Sequence, residues 1–105
     1  MRIALISDIH ANREAFEACL EHAQRNGVDE YVFLGDYVGY GADPGWVVDS
    51  VMAYVERGAV AVLGNHDAAA VGQDADMNEA AAAAIEWTKT KLTAEHSKFL
   101  SELPL

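Results

Sequence analysis

The sequence has 105 residues, which fits one domain, and its 51% hydrophobic content is enough to form an apolar core. The formal net charge of −10 disfavours binding to nucleic acid or to anionic lipid. No apolar run reaches the roughly 18 residues of a membrane span, and the N-terminal apolar stretch is too short for a signal peptide. The single cysteine, Cys19, excludes an internal disulfide and favours a cytoplasmic location. We expect Cys19 to be a small buried hydrophobe.

The first part of the sequence predicts three strands separated by two helices. The predicted strands are residues 2–7, 30–34 and 59–63, which are short apolar runs typical of buried parallel strands. The first helix is predicted from a cap at Asn12 to about residue 26. The second is predicted to begin at Asp43-Pro44, where proline suits the first helical turn, and to stop at Gly58.

The last part of the sequence predicts two more helices. An alanine-rich helix is expected over residues 76–92, and a final helix capped by Thr93 is expected to end near Leu103, before Pro104. Strands that alternate with helices predict a parallel sheet with right-handed crossovers, and hence an α/β fold. In such folds the ligand site lies beyond the carboxyl ends of the strands.

Residues of metal-ligand type follow the first two predicted strands. Asp8 and His10 occupy alternate positions of an extended segment, so both side chains can face one ion. Asp36 follows the next strand directly after Gly35, where a short carboxylate could bridge two cations. Carboxylate and imidazole together suit Mn²⁺, Fe, Zn²⁺ or Ni²⁺. Each motif alone is common in ordinary loops and turns.

A third polar cluster, Asn65, His66 and Asp67, lies with Gly64 in the predicted exit loop of the third strand, residues 64–67. Asn65 offers a neutral oxygen ligand, and a histidine with a pKa of about 6.5 suits proton donation to a leaving oxygen. Asp67 either orients His66 or caps the following segment. Gly-Asn-His-Asp should arise by chance in roughly one chain of this size in a thousand or fewer. Three such clusters after three successive strands therefore indicate a site.

In this order and spacing, three motifs resemble the first signature blocks of the calcineurin-like phosphoesterases: Asp8-x-His10, Gly35-Asp36-Tyr37-Val38-Gly39 and Gly64-Asn65-His66-Asp67. The resemblance covers about residues 1–70. It implies an αββα sandwich, to which residues 1–105 would contribute a single, incomplete N-terminal part. The second block has Gly39-Tyr40 where phosphoprotein phosphatases show Asp-Arg, and it is similar to bacterial phosphodiesterase-like members.

The resemblance implies a metal-dependent phosphoester hydrolase with two divalent ions, with Mn²⁺ as the expected metal and Fe, Zn²⁺ or Ni²⁺ as alternatives. Asp8 and His10 would bind one ion, Asp36 would bridge both, and Asn65 would bind the second. A metal-activated hydroxide would attack a small phosphorylated or phosphodiester substrate. His66, supported by Asp67, would act as general acid and contribute about 10²–10⁴-fold.

The later histidine block of the family is missing from this sequence, and its other histidines, His22 and His96, fall in helical patterns. The second ion would therefore keep only Asp36 and Asn65, which is a small ligand set for a catalytic ion, so the 105 residues could be inactive by themselves. Three strands with helices on one side would leave a sheet face and an edge open. This predicts a homo-oligomer or association with a missing C-terminal half.

Two other functions fit the fold class. A non-catalytic metal-binding or protein-interaction module would explain the absent later ligands, although it leaves His66 without a purpose. A plain nucleotide-binding domain is disfavoured, because the sequence contains no Gly-x-Gly-x-x-Gly motif and no phosphate loop.

Overall fold

The strands form one parallel sheet. The computed structural model describes residues 1–73 and 77–105. The strands are β1 (Ile3–Ile6), β2 (Glu30–Phe33) and β3 (Val60–Ala61), which lie in the order β1-β2-β3. Both pairings are parallel. The predicted α/β class with three parallel strands and flanking helices is confirmed, although each strand is shorter than predicted.

The helices of the described residues begin close to the predicted caps. They are α1 (Arg13–Arg25), α2 (Pro44–Glu56), α3 (Asn65–Ala70), α4 (Glu79–Lys89) and α5 (Ala94–Ser101). The side chains of Asn12 and Thr93 accept hydrogen bonds from backbone N–H groups in the first turns of α1 and α5, as predicted. Asp43 precedes α2 but makes no side-chain capping bond. The predicted start of α4 at Asp76 lies outside the described residues.

Helix α4 has an N-cap that the sequence analysis did not select. The side chain of Asn78 accepts a hydrogen bond from the backbone N–H of Ala81 at 2.8 Å. Over the described residues, no helix combines the length and apolar character needed to cross a membrane.

One face of the sheet carries the core. Side chains alternate between the two faces of a strand, and Phe33 and Ala61 point to the face that α1 and α2 cover. Phe16 of α1 meets Phe33 edge to face, with ring centroids 6.0 Å apart. Val47, Val48 and Val51 of α2 are fully buried, and Leu100 of α5 is buried in the same cluster. The helices thus hold the sheet from one side.

The opposite face, which we call the open sheet face, is not covered by any described residue. It comprises Ile3, Leu5, Leu34 and Val60, which are 50%, 66%, 45% and 56% exposed. The prediction that the first strand is buried is therefore wrong, because no second layer packs on this face. The predicted uncovered face is present.

Cys19 is also exposed, contrary to the expectation that it would be buried. It lines a groove of about 590 Å³ between α1 and β1, at the edge of the sheet where no further strand pairs among the described residues. A free cysteine is buried only if the helix face that carries it is covered. On α1, the face that packs against the core consists of Phe16, Leu20 and Ala23, and Cys19 lies outside it.

The segment after β3 is a helix and not the predicted exit loop. Gly64 is the N-cap of α3, so Asn65 and His66 occupy its first turn. Asp67 follows, and its carboxylate accepts the Gly64 N–H at 3.0 Å, which caps the helix. A helical turn holds the side chains of Asn65, His66 and Asp67 more rigidly than a loop would.

Candidate metal centre

The segments that leave β1 and β2 continue to pair beyond the strands. The backbone N–H of His10 donates to the carbonyl of Asp36 at 2.9 Å, and that of Ala11 donates to the carbonyl of Tyr37 at 2.7 Å. Asp8 N–H likewise donates to Gly35 at 3.2 Å. These bonds hold the two polar segments side by side at the carboxyl edge of the sheet, where ligand sites of parallel sheets occur.

The backbone in these segments is strained. The non-glycine residues with positive φ in the described part of the chain are all here: Asp8 (55°), His10 (47°), Ala11 (56°), Asp36 (56°) and Tyr40 (67°). Such conformations cost free energy, and they cluster at functional sites where the surrounding structure imposes them. Glycine is required at position 64, because a Cβ there would overlap the Asp36 carboxylate.

Asp8, His10 and Asp36 converge on one point. Their ligand atoms all lie within 4.8 Å of one another. His10 Nδ1 lies 3.2 Å from the Val38 carbonyl oxygen, which can only accept. Nδ1 therefore donates to that carbonyl, and Nε2, which lies 3.3 Å from Asp8 Oδ1, is the ring nitrogen that faces the carboxylates. The trio offers two carboxylates and one imidazole, a donor set that fits a first-row divalent ion.

Neighbouring groups donate hydrogen bonds to both carboxylates of the trio and orient them. The hydrogen bond from the Ser7 hydroxyl, at 2.6 Å, lowers the pKa of Asp8. Asp36 Oδ1 accepts the backbone N–H of His66 at 3.0 Å. This second bond ties the first turn of α3 to the trio, so the segments after all three strands meet at Asp36.

Asp67 is the buried centre of this arrangement. Its carboxylate accepts four backbone N–H groups, from Asp36 (2.8 Å), Tyr37 (2.9 Å), Val38 (3.1 Å) and Gly64 (3.0 Å). Burial raises its pKa to about 6, against the opposing effect of these hydrogen bonds. The group is thus mainly ionised at pH 7. Asp67 thus caps α3 and binds it to the segment that follows β2. None of its described hydrogen bonds is with the His66 ring.

His66 packs beside the trio, whereas Asn65 is exposed to solvent. The rings of His66 and His10 are 4.9 Å apart, and His66 is buried. Its Nδ1 has no hydrogen-bond partner among the described residues. Asn65 is exposed at the first position of α3, and its side chain makes no hydrogen bond in the described structure.

The two helical histidines lie away from this edge. His22 is exposed on α1. His96 is buried and bonds through Nε2 to Asp49 Oδ1 at 2.6 Å, which ties α5 to α2. Neither belongs to the Asp8, His10 and Asp36 group.

Three contributors to the site were missed by the sequence analysis. They are the Ser7 hydroxyl, the Val38 carbonyl and the ring of Tyr40, which packs against both histidines. Tyr40 stands next to the second motif and could have been selected as an aromatic residue in a glycine-rich loop. A backbone carbonyl has no sequence signal.

Comparison with known proteins decides the family. The family model for calcineurin-like phosphoesterases matches residues 1–104. The chain belongs to the calcineurin-like phosphoesterase family. The resemblance based on about residues 1–70 is therefore confirmed, and the match also includes α4 and α5.

The chain is also similar to solved structures and to one curated relative. A metallophosphoesterase of Sphaerobacter thermophilus is 42% identical with a TM-score of 0.81, and covers 99% of this chain. A second structure, provisionally named a diadenosine tetraphosphatase, is 29% identical with a TM-score of 0.75 over 98% of this chain. The uncharacterized protein MJ0912 of Methanocaldococcus jannaschii is 41% identical over 98% of this chain. The chain spans 42%, 43% and 42% of those proteins, respectively.

Proposed function

We propose that this phosphoesterase chain forms the metal-binding part of a phosphodiesterase-like hydrolase. The observation that carries the proposal is the convergence of Asp8, His10 and Asp36 within 4.8 Å at the carboxyl edge of the sheet. These residues would hold one divalent ion, for which we expect Mn²⁺, with Fe, Zn²⁺ or Ni²⁺ as alternatives. Ions in such centres activate water and polarise phosphoryl oxygens.

A second ion would complete the binuclear centre. In this chain, Asp36 and Asn65 are the two residues that we assign to it, and two protein ligands give a weak site. We therefore propose that residues 1–105 are one incomplete domain, which binds the first ion firmly and the second ion weakly.

His66 is the proposed general acid. Its ring lies 4.9 Å from His10, and its backbone N–H is bonded to Asp36, so its position is coupled to the metal ligands. Protonated, it would donate a proton to the leaving oxygen of the substrate. Asp67 would serve this step indirectly, by fixing α3 against the segment after β2.

A small phosphoester or phosphodiester, including dinucleotide-like compounds, is the proposed substrate. The relative named as a diadenosine tetraphosphatase supports this class. The net charge of −10 makes polynucleotides poor candidates, because the surface repels them at long range. The same charge makes a bound cation necessary for any anionic substrate. The lone cysteine supports a reducing, cytoplasmic setting.

Activity is tested with a generic aryl phosphodiester and added Mn²⁺. We expect turnover by the unaltered chain, loss on chelation, and a fall of about 100-fold or more in Asp36→Asn and His66→Ala. Glu56→Gln, which removes a charge at the exposed end of α2, should keep the full rate. If the unaltered chain is no faster than the first two variants, residues 1–105 are not an enzyme by themselves.

The alternative is a non-catalytic metal-binding or protein-interaction module of the same fold. The open sheet face favours it, since exposed apolar surface of this kind marks an interaction site. One weak metal site without turnover would support this alternative over the hydrolase.

We further propose that a second copy of the chain covers the open sheet face in solution. Sedimentation velocity should show a dimer or larger species, and Leu5→Lys should shift it to the monomer, because a charge cannot be buried there without a partner. Trp87→Lys, which alters an exposed apolar residue on α4, is the matched control and should not change the assembly. A monomeric unaltered chain at micromolar concentration would contradict this self-association.

A further inference from the structure

Tyr40 is an exposed aromatic residue at the edge of the metal centre. Its ring centroid lies 5.3 Å from that of His10 and 5.2 Å from that of His66. The side chain is nevertheless 56% exposed. The ring thus contacts both site histidines and still presents a large apolar surface to solvent.

The backbone at this position does not favour tyrosine. Tyr40 has φ of 67°, a conformation in which glycine or asparagine is less strained. Glycine or asparagine at this position would therefore strain the backbone of the turn less than tyrosine does. A strained backbone that carries an exposed aromatic ring beside a site is a reason to look for a function of the ring.

The ring also borders a concavity. A space of about 450 Å³ extends from Asp8 and His10 past Tyr40 to the start of α2. Glu14 and Asp43 are also among its lining residues, so a second phosphate group would be repelled beside them. An uncharged flat group would meet no such repulsion, and it could lie against the tyrosine.

We propose that Tyr40 forms the wall of a subsite for an uncharged aromatic group, an aryl ring or a nucleobase, attached to the phosphoryl group of the substrate. The subsite rests on the proposed function, because the phosphoryl group must first be held by an ion bound to Asp8, His10 and Asp36. Stacking on an aromatic side chain then adds affinity for esters with a ring next to the phosphorus.

A purely structural role for Tyr40 makes a different prediction. If the ring only shields His10 and His66 from water, its loss should weaken metal binding and the binding of every phosphoryl ligand alike. A stacking role should weaken only ligands that carry a ring.

The test compares phenylphosphonate with methylphosphonate, two ligands that this enzyme class cannot hydrolyse as esters. Their dissociation constants are measured by calorimetry on the Mn²⁺-loaded chain. The variants are Tyr40→Asn, which suits the left-handed backbone without a ring, and Tyr40→Phe, which keeps the ring. The Mn²⁺ affinity of each variant is measured first.

We expect phenylphosphonate to bind about 3–10-fold tighter than methylphosphonate in the unaltered chain and in Tyr40→Phe. This preference should vanish in Tyr40→Asn, with Mn²⁺ and methylphosphonate affinities kept. Equal binding of both ligands by the unaltered chain would overturn the subsite, as would a preference that survives in Tyr40→Asn or a uniform loss for both ligands and for Mn²⁺. If neither phosphonate binds the loaded chain, the proposed function fails and the subsite fails with it.

Discussion

Replacing Asp67 by alanine should lower the free energy of unfolding by about 3 kcal/mol or more, since a buried donor left without an acceptor costs about 1–3 kcal/mol. Four backbone N–H groups, of Asp36, Tyr37, Val38 and Gly64, share this carboxylate as acceptor. Domains are stable by only about 5–15 kcal/mol. Denaturant unfolding followed by circular dichroism measures the loss.

Two further variants separate the hydrogen bonds from the volume of the side chain. Asp67→Asn keeps the shape but replaces one acceptor oxygen by an amide that faces N–H donors, so it should lose most of the same stability. Asp43→Ala removes an equal carboxylate that makes no capping bond, and it should cost less than about 1 kcal/mol. If Asp67→Asn is as stable as the unaltered chain, the four hydrogen bonds are not what holds these segments together.

The second large effect should be on metal binding. The unaltered chain should bind close to one Mn²⁺ per chain with measurable affinity, and Asp36→Asn should weaken that binding by at least about 100-fold. This factor is a lower bound. Even the loss of a residue that only hydrogen-bonds to a metal ligand lowers metal affinity by about 10–100-fold, and the loss of a ligand should cost more. The variant retains Oδ1, which can still accept the His66 N–H, so the fold should survive.

The matched control for Asp36 is Asp43→Asn, which removes the same charge from the neighbouring concavity outside the ligand trio. It should change the Mn²⁺ affinity by about 3-fold or less, since exposed charges act weakly through solvent. Titration calorimetry measures affinity and stoichiometry together. Equal losses in the two variants would mean that the trio acts only as diffuse negative charge. Two equally tight ions would contradict the weak second site.

Asp36 and Asp67 are expected to contribute to the site in different ways. Asp36 is proposed to touch the metal, whereas Asp67 holds the backbone that presents Asp36 and His66. The Asp67 variants should therefore weaken metal binding as well, through loss of structure, and the Asp36 variant should leave stability nearly unchanged. Measuring both quantities in all variants distinguishes ligands from the residues that position them.

Much of the fold was predictable from local signals. Asn12 and Thr93 begin helices because their side chains accept the first free N–H groups, and this chemistry is local in sequence. The alternation of apolar runs with helices indicated a parallel sheet because parallel strands need crossovers. The polar residues after each strand indicated one edge of that sheet, and Asp8, His10 and Asp36 do meet there.

The tertiary structure decided the features that depend on neighbours distant in sequence. Whether β1 is buried depends on a second layer, so an apolar run could not show that Ile3 and Leu5 would be exposed. Cys19 is exposed for the same reason. Asp67 was predicted to orient His66 or to cap a segment, but its bonds to Asp36, Tyr37 and Val38 span about thirty residues of sequence. The sequence by itself determined which residue types are available for metal binding and proton transfer, because side-chain type does not depend on the fold. Packing alone decided which of them touch, which are buried and which hold the others in place.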